Sequence, residues 1–366
     1  MTNRTVSAPL QGLSIYDVEQ SFRTQRFKAI SWAIFLAIAL AFVSLLSLLI
    51  GPVRISFGET VSIIGSTFGG GQLPDSLTHH GAIILDLRAP RIVLAIVAGA
   101  GLAVAGVVLQ ALVRNMLADP YILGVNSGAS TGAALAILFG AGAGFGEYAL
   151  QTSAFLGALV AMGLVLVVSR VAGRMTSTRL LMAGVAVGYA LSAFTSFLVF
   201  ASDSAEGSRS VTFWLLGSLS LASWGGPLVV ASVIVIAGIA LMMLLARPLD
   251  VLSAGDETAI AVGFNPDRLR IIFMVSISIV VGVVVAAVGS IGFVGLVIPH
   301  LARRLVGASH AAVIPISALC GALLLVVADI ASRVTMAPQE LPVGIITALV
   351  GTPFLLLLVR RLKGGA

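Results

Sequence analysis

Charge is scarce in this chain. Only 10% of its 366 residues are Asp, Glu, Lys or Arg, against about 25% in a soluble globular protein. Lysine is nearly absent: the two present are Lys28 and Lys363, and neither follows a glycine. That excludes a P-loop, whose Gly-Lys-Ser/Thr core sets a lysine on the nucleotide phosphates. The single cysteine, Cys320, lies inside an apolar run, so neither an intrachain disulfide nor a cysteine zinc cluster can form. The four histidines, His79, His80, His300 and His310, make no metal cluster either. His79-His80 reads as solvated in an outer loop, and the other two as caps near the inner face.

What remains is apolar. Hydrophobic residues make up 58% of the chain and the mean hydropathy is +1.11. No water-soluble domain of this size could hide that much apolar surface, which excludes a soluble enzyme, a nucleic-acid-binding domain and a disordered protein. A bilayer span needs roughly 20 mostly apolar residues. Such runs occur at Ile30–Ile50, Ile92–Leu112, Ile122–Phe139, Ala149–Val168, Leu180–Phe200, Leu228–Leu245, Ile271–Val288, Ile291–Leu301, Ala311–Ile330 and Val343–Val359. The sequence therefore predicts an all-α polytopic membrane protein of about ten transmembrane helices. Residues 1–29 are expected as a cytoplasmic N-terminal segment and residues 30–366 as a single transmembrane domain with its C-terminus also inside. The short Ile291–Leu301 run leaves Gly289-Ser290 as either a tight turn between two spans or a kink in one.

The distribution of cations tests the count, because inner loops of membrane proteins collect Lys and Arg. With ten spans, five of the 21 cations face out (Arg54, Arg88, Arg91, Arg209 and Arg333) and the other 16 face in. Merging the two doubtful spans spoils the split to 12 against 9. The basic pI is thereby explained by topology and not by nucleic acid. Glycine is abundant, at 40 residues. Gly128-x-x-x-Gly132 and Gly184-x-x-x-Gly188 predict close helix packing, since small residues four apart share a helix face.

Chemistry inside the bilayer is sparse. No row of charges lies deep in a span, and Asp329 sits at the end of its run near Arg333. Coupling to an ion gradient, which relies on intramembrane acids, is disfavoured, so the energy comes from outside this chain. The longest charged inner segment is the loop 247–270. Pro248 would open one short helix, Ser253 or Asp256 would cap the next, acids would favour its first turn, and Gly263 would end it. Two short helices on the membrane surface are expected there, as a docking element.

Several segments resemble the FecCD family of membrane subunits of ATP-binding-cassette importers for iron-siderophore complexes, haem and cobalamin. They are Leu87-Arg88-Ala89-Pro90-Arg91, Gly106 through Gln110, Arg114 through Pro120, Leu123-Gly124-Val125 and Trp214 through Leu219. Glu257-x-Ala259-x-x-x-Gly263, Gly292 through His300 and Glu340 through Gly344 complete the set. Met116 stands where the family commonly has proline. The resemblance runs from about residue 30 to the C-terminus.

The resemblance implies ten helices per subunit and a homodimer, or a pair with a paralogous permease, with the pathway along the dimer axis. It implies two cytoplasmic ATPase subunits that hold ATP and Mg, a periplasmic or lipid-anchored substrate-binding protein outside, and no cofactor on this chain. Asp256, Glu257, Thr258, Ala259 and Gly263 resemble the helices that couple to the ATPase. Arg88, Arg91 and Arg333 fall where outer arginines of the family pair with glutamates of the binding protein. Ser192, Thr195 and Ser196 are candidate pathway residues. The implied function is a non-enzymatic importer permease in the inner membrane, moving a ferric siderophore, with haem or cobalamin as alternatives. A gradient-driven secondary transporter is the alternative from another class.

Overall fold

The computed structural model describes residues 15–69, 74–171 and 176–363. Residues 1–14 of the expected N-terminal segment, with Arg4, lie outside the described residues, as does Arg174. Every regular element among the described residues is helical. In chain order these are α1 (Ile15–Leu49), α2 (Phe57–Gly69), α3 (Thr78–Ala82), α4 (Ala89–Val113), α5 (Val125–Phe139), α6 (Ala149–Val171), α7 (Ser177–Phe200) and α8 (Ala205–Leu215). They continue as α9 (Gly226–Leu244), α10 (Ala246–Ala254), α11 (Asp256–Ala261), α12 (Pro266–Val288), α13 (Val294–Val306), α14 (His310–Val334) and α15 (Val343–Lys363). A π-helical segment, Ile83–Arg88, joins α3 to α4.

Each of the ten apolar runs coincides with one of these helices: α1, α4 to α7, α9 and α12 to α15. Among the described residues, seven helices are long and apolar enough to cross a membrane, and Val125–Phe139 and Val343–Leu357 are shorter apolar helices. The ambiguity at Gly289-Ser290 resolves as a true break. Residues 289–293 separate α12 from α13, with Gly289 at φ +71° and Phe293 at φ +69°. The Tyr121 hydroxyl fastens the break, accepting from the Ile291 N–H at 2.9 Å and donating to its carbonyl at 3.0 Å. Helix α13 is only 13 residues long, with Arg303 and Arg304 in its last turn. It is an amphipathic half-helix reaching the inner face.

Helix α4 is the axis of the bundle, with 83% of its apolar window buried against 11% for α1. Small residues allow this. A Cβ on Gly99 would lie 2.2 Å from the Gly321 carbonyl oxygen of α14, and one on Gly106 would lie 1.9 Å from that of Gly295 on α13. Backbones approach this closely only where neither carries a side chain. Just below, Gln110 donates to the carbonyls of Ala118, Gly295 and Leu296 at 3.4, 3.3 and 3.2 Å and accepts from Arg303 at 2.5 Å. Gly128 and Gly132 pack against the α6 backbone at Gly157 and Ser153, so that expected pair marks close packing; of the second pair only Gly184 does, against Ile122, while a Cβ on Gly188 would be in ordinary contact at 3.7 Å.

A test follows from Gly106. Gly106→Val forces backbone against backbone, and overpacking costs about 1–3 kcal/mol even where side chains can shift. The expected result is a large drop in the thermal unfolding midpoint of the detergent-solubilised chain. Gly65→Ala on α2, where a Cβ meets nothing within 4 Å, should leave the midpoint unchanged or slightly raised.

Helix α2 went unread in the sequence, although its start signal is there. Ser56 and Glu59 form a capping box: the Ser56 N–H donates to Glu59 Oε2 at 2.8 Å and the Glu59 N–H to Ser56 Oγ at 3.3 Å.

Candidate functional site

The inner loop folds as the two expected short helices, α10 and α11, but its caps differ from expectation. The N-cap of α11 is Gly255, with no side-chain cap, and Asp256 is the first helical residue. Ser253 instead donates to the Asp250 carbonyl at 2.7 Å. Gly263 ends α11 as expected, at φ +90°. The Phe264 N–H reaches the Ala259 carbonyl at 2.8 Å and the Gly263 N–H the Ile260 carbonyl at 2.9 Å, the bonding of a Schellman motif. A Cβ on Gly263 would meet nothing within 4 Å, so this glycine is needed for its left-handed backbone and not for space.

This element is bolted to the bundle. Leu249, Leu252 and Ala259 are buried. Asp250 Oδ1 accepts from the His310 N–H at 3.0 Å and lies 2.5 Å from His310 Nδ1, tying α10 to the start of α14. Asp256 Oδ1 is held by Arg270 of α12 at 2.6 Å and by Arg114 at the end of α4. Asp256 is therefore an anchor. The surface that α11 presents consists of Glu257, Thr258, Ile260, Ala261, Val262 and Gly263, with Ile260 54% and Val262 61% exposed. A rigid, acid-led short helix with exposed aliphatic side chains is suited to insertion in a groove of another protein.

Burial raises the pKa of Asp256, but the hydrogen bond and charge of Arg270, then those of Arg114, outweigh it and hold the carboxyl below its ordinary value. A depressed folded value means that the anchor contributes fully above the unfolded pKa, about 3.9. The contribution is lost as pH falls through the folded value. A fluorophore on Val262→Cys should accordingly report no change from pH 8 to 5 and a transition only in stronger acid. That transition should be missing when Asp256→Asn is added.

At the opposite end, the three outer arginines turn inward. Arg88, Arg91 and Arg333 are 5%, 8% and 3% exposed. Arg88 donates to the carbonyls of Leu48 and of Val53, the latter at 2.6 Å. Arg333 donates to Ser47 Oγ at 2.6 Å and to the Ile50 carbonyl at 2.8 Å. Asp329, also buried, sits between Arg91 at 2.5 Å and Arg333 at 3.0 Å. Arg91 also reaches Glu340 at 2.8 Å, and that carboxylate is partly exposed. Arg88 and Arg333 thus clamp the end of α1 to α4 and α14. Only the Arg91–Glu340 pair brings this network to the surface.

The three expected pathway hydroxyls separate. Ser192 lines a cavity of about 510 Å³ with Asp119, Tyr121, Ser127, Tyr189 and Phe293. Thr195 is buried, bonded to Thr131 Oγ1 at 2.8 Å and to the Leu191 carbonyl at 2.9 Å, so it fastens α7 to α5. Ser196 is exposed but donates to its own helix at the Ser192 carbonyl, 3.1 Å away. A second cavity, of about 590 Å³, lies along α15 and is bounded by Leu216, Ser290, Phe293, Gly344 and Ala348. Gly292 and Phe293 line both cavities, so the break between α12 and α13 sits at the centre of this wall. The sequence marks the break at Gly289-Ser290 but carries no sign that it lies between two cavities.

The FecCD transport family matches residues 39–361. The hemin transport system permease protein of Yersinia pestis is 37% identical over 329 residues, covering 89% of this chain and 94% of that one. The Fe(3+)-citrate import system permease protein of Bacillus subtilis (strain 168) is 41% identical over 281 residues, 76% of this chain and 81% of that one. A solved ABC transporter in an inward-facing conformation superposes with a TM-score of 0.78 at 34% identity, covering 90% of this chain and 98% of that one.

Proposed function

The chain belongs to the FecCD transport family, and from that premise we propose that it is the permease subunit of an ATP-binding-cassette importer that carries a ferric siderophore across the inner membrane. The observation that carries this reading is α11. A docking surface of Glu257, Thr258, Ile260 and Val262, held rigid from below by Asp256, belongs to a chain that has no P-loop of its own. Energy then has to enter through a contact, and α11 is the surface built for one. Two ATPase subunits, holding ATP and Mg, grip the α10–α11 elements of two copies of this chain. Their closure swings the copies as rigid bodies between outward- and inward-open states.

The wall formed by α7, α15 and the 289–293 break, with Ser192, Tyr189 and Phe293 on it, faces the pathway between the copies. The substrate-binding protein docks on the outer rim. There Arg91, through its pair with Glu340, is the arginine that meets it, while Arg88 and Arg333 brace the rim from inside. Relatives named for ferric citrate, haem and cobalamin make a metal chelate the common cargo. The choice of siderophore is the part that the binding protein sets.

Reconstitution tests this reading. Proteoliposomes holding the chain with its ATPase and binding protein should take up radiolabelled ferric siderophore only with ATP, and the chain alone should take up none. Uptake by the chain alone along a gradient would contradict the importer reading. ATP-driven uptake of haem or cobalamin in place of the siderophore would correct the cargo alone.

A further inference from the structure

Away from both candidate sites, a groove runs between α6 and α9 with α12 as its floor. Its deeper part, about 320 Å³, is almost wholly apolar, lined by Phe155, Val230, Ile234, Val283 and Ala286. Its outer part, about 230 Å³, is polar, lined by Glu147, Ser223, Trp224 and Gly225. Tyr148, Gln151, Pro227 and Ala287 line both parts, so the two are one amphipathic slot. The flanking helices expose Val229, Val233 and Ile236 on α9 and Leu156 and Val160 on α6. In a membrane-spanning chain, such flanks face hydrocarbon. Trp224 and Tyr148 stand at its mouth, where aromatic side chains mark the level of the headgroups.

The polar end has a definite charge pattern. Glu147 is exposed and lines the polar end beside Tyr148. Among the described residues, no cation lies within ion-pair distance of it. Beside it α9 begins at Gly225 with no side-chain cap, leaving the N–H groups of Gly226 and Leu228, since Pro227 has none, at an end that favours an anion. An unpaired carboxylate next to an anion-favouring helix end, above an apolar slot, matches a zwitterionic lipid with an N–H-bearing headgroup.

We propose that this groove binds one outer-leaflet phospholipid with a primary-ammonium headgroup, phosphatidylethanolamine. The ammonium sits on Glu147, the phosphate at the start of α9, and an acyl chain between α6 and α9. Choline, which has no N–H, and glycerol, which has no positive charge, satisfy this pattern less well.

Native mass spectrometry of the purified full-length chain, equilibrated with equal phosphatidylethanolamine, phosphatidylcholine and phosphatidylglycerol, tests it. The expected result is one retained lipid per chain, with phosphatidylethanolamine preferred about tenfold, as one charge-assisted hydrogen bond allows. Glu147→Gln should bring the preference close to unity while a lipid is still retained. Val230→Trp, which fills the slot from its exposed side, should lower retention of all three. Equal retention by the unaltered chain, or an undiminished preference in Glu147→Gln, overturns the proposal. So does disulfide cross-linking of two copies through Val230→Cys, which would show a second chain covering the groove.

Discussion

Replacing Ile260 and Val262 together with glutamate is expected to abolish ATP-driven uptake and to detach the ATPase during purification, while the permease stays folded. Both side chains are more than half exposed on α11, so the change costs the isolated chain little. In the proposed docked complex they would be the aliphatic anchors of the contact. Central anchors carry about 2 kcal/mol or more each when truncated. Losing one or both weakens docking by about 2–4 kcal/mol, or about 30- to 1000-fold. Co-purification and ATPase stimulation are the readouts, with the thermal midpoint of the permease as the folding control. Gly263→Ala acts on the same element by another route. It forces a Cβ into a left-handed residue at about 1–2 kcal/mol, loosening α11 without touching its surface.

The second large effect is on stability. Asp329→Ala removes the carboxylate shared by Arg91 and Arg333, leaving two buried guanidiniums facing each other across the place it occupied. Breaking a buried pair from one side costs about 3–5 kcal/mol, because the surviving charge stays desolvated. The unfolding midpoint in detergent should fall steeply. Replacing Arg91, Asp329 and Arg333 together with Met, Leu and Met should recover most of the loss, since a packed apolar substitute avoids the desolvation cost. Glu340→Ala, which removes only the partly exposed partner of Arg91, should cost about 1 kcal/mol or less. Equal losses from Asp329→Ala and Glu340→Ala would contradict the view that the network is a buried clamp with one surface-reaching arm.

The spans and the two short helices of loop 247–270 are legible because their signals are local. An apolar run and a Gly263 that stops a helix can be read within a dozen residues. The cation asymmetry added a global check that separated α12 from α13. The environment of the outer arginines was not legible in the same way. Arg91 is tied to Asp329 and Glu340, and Arg333 to Ser47, partners hundreds of residues away. Sequence position marked all three as outer cations but did not show that their guanidiniums point inward.

The same holds for the pathway wall. Thr195 and Ser192 are three residues apart, yet one meets Thr131 and the other a cavity, because α5 packs against only one side of α7. The roles of Gly106 and Gly295 likewise depend on two backbones meeting across the bundle. The cap of α11 was misread because Asp256 forms pairs with Arg114 and Arg270 and does not cap its own helix.

Sidedness of the α10–α11 element is the central claim, and thiol labelling at Val262→Cys measures it directly. The native Cys320 is buried and gives little background. A membrane-impermeant maleimide should fail to label Cys at this position in intact cells, label it once the membrane is opened, and label it poorly again when the ATPase is bound. Efficient labelling from outside intact cells would put α11 on the wrong face and contradict its role as the point where energy enters.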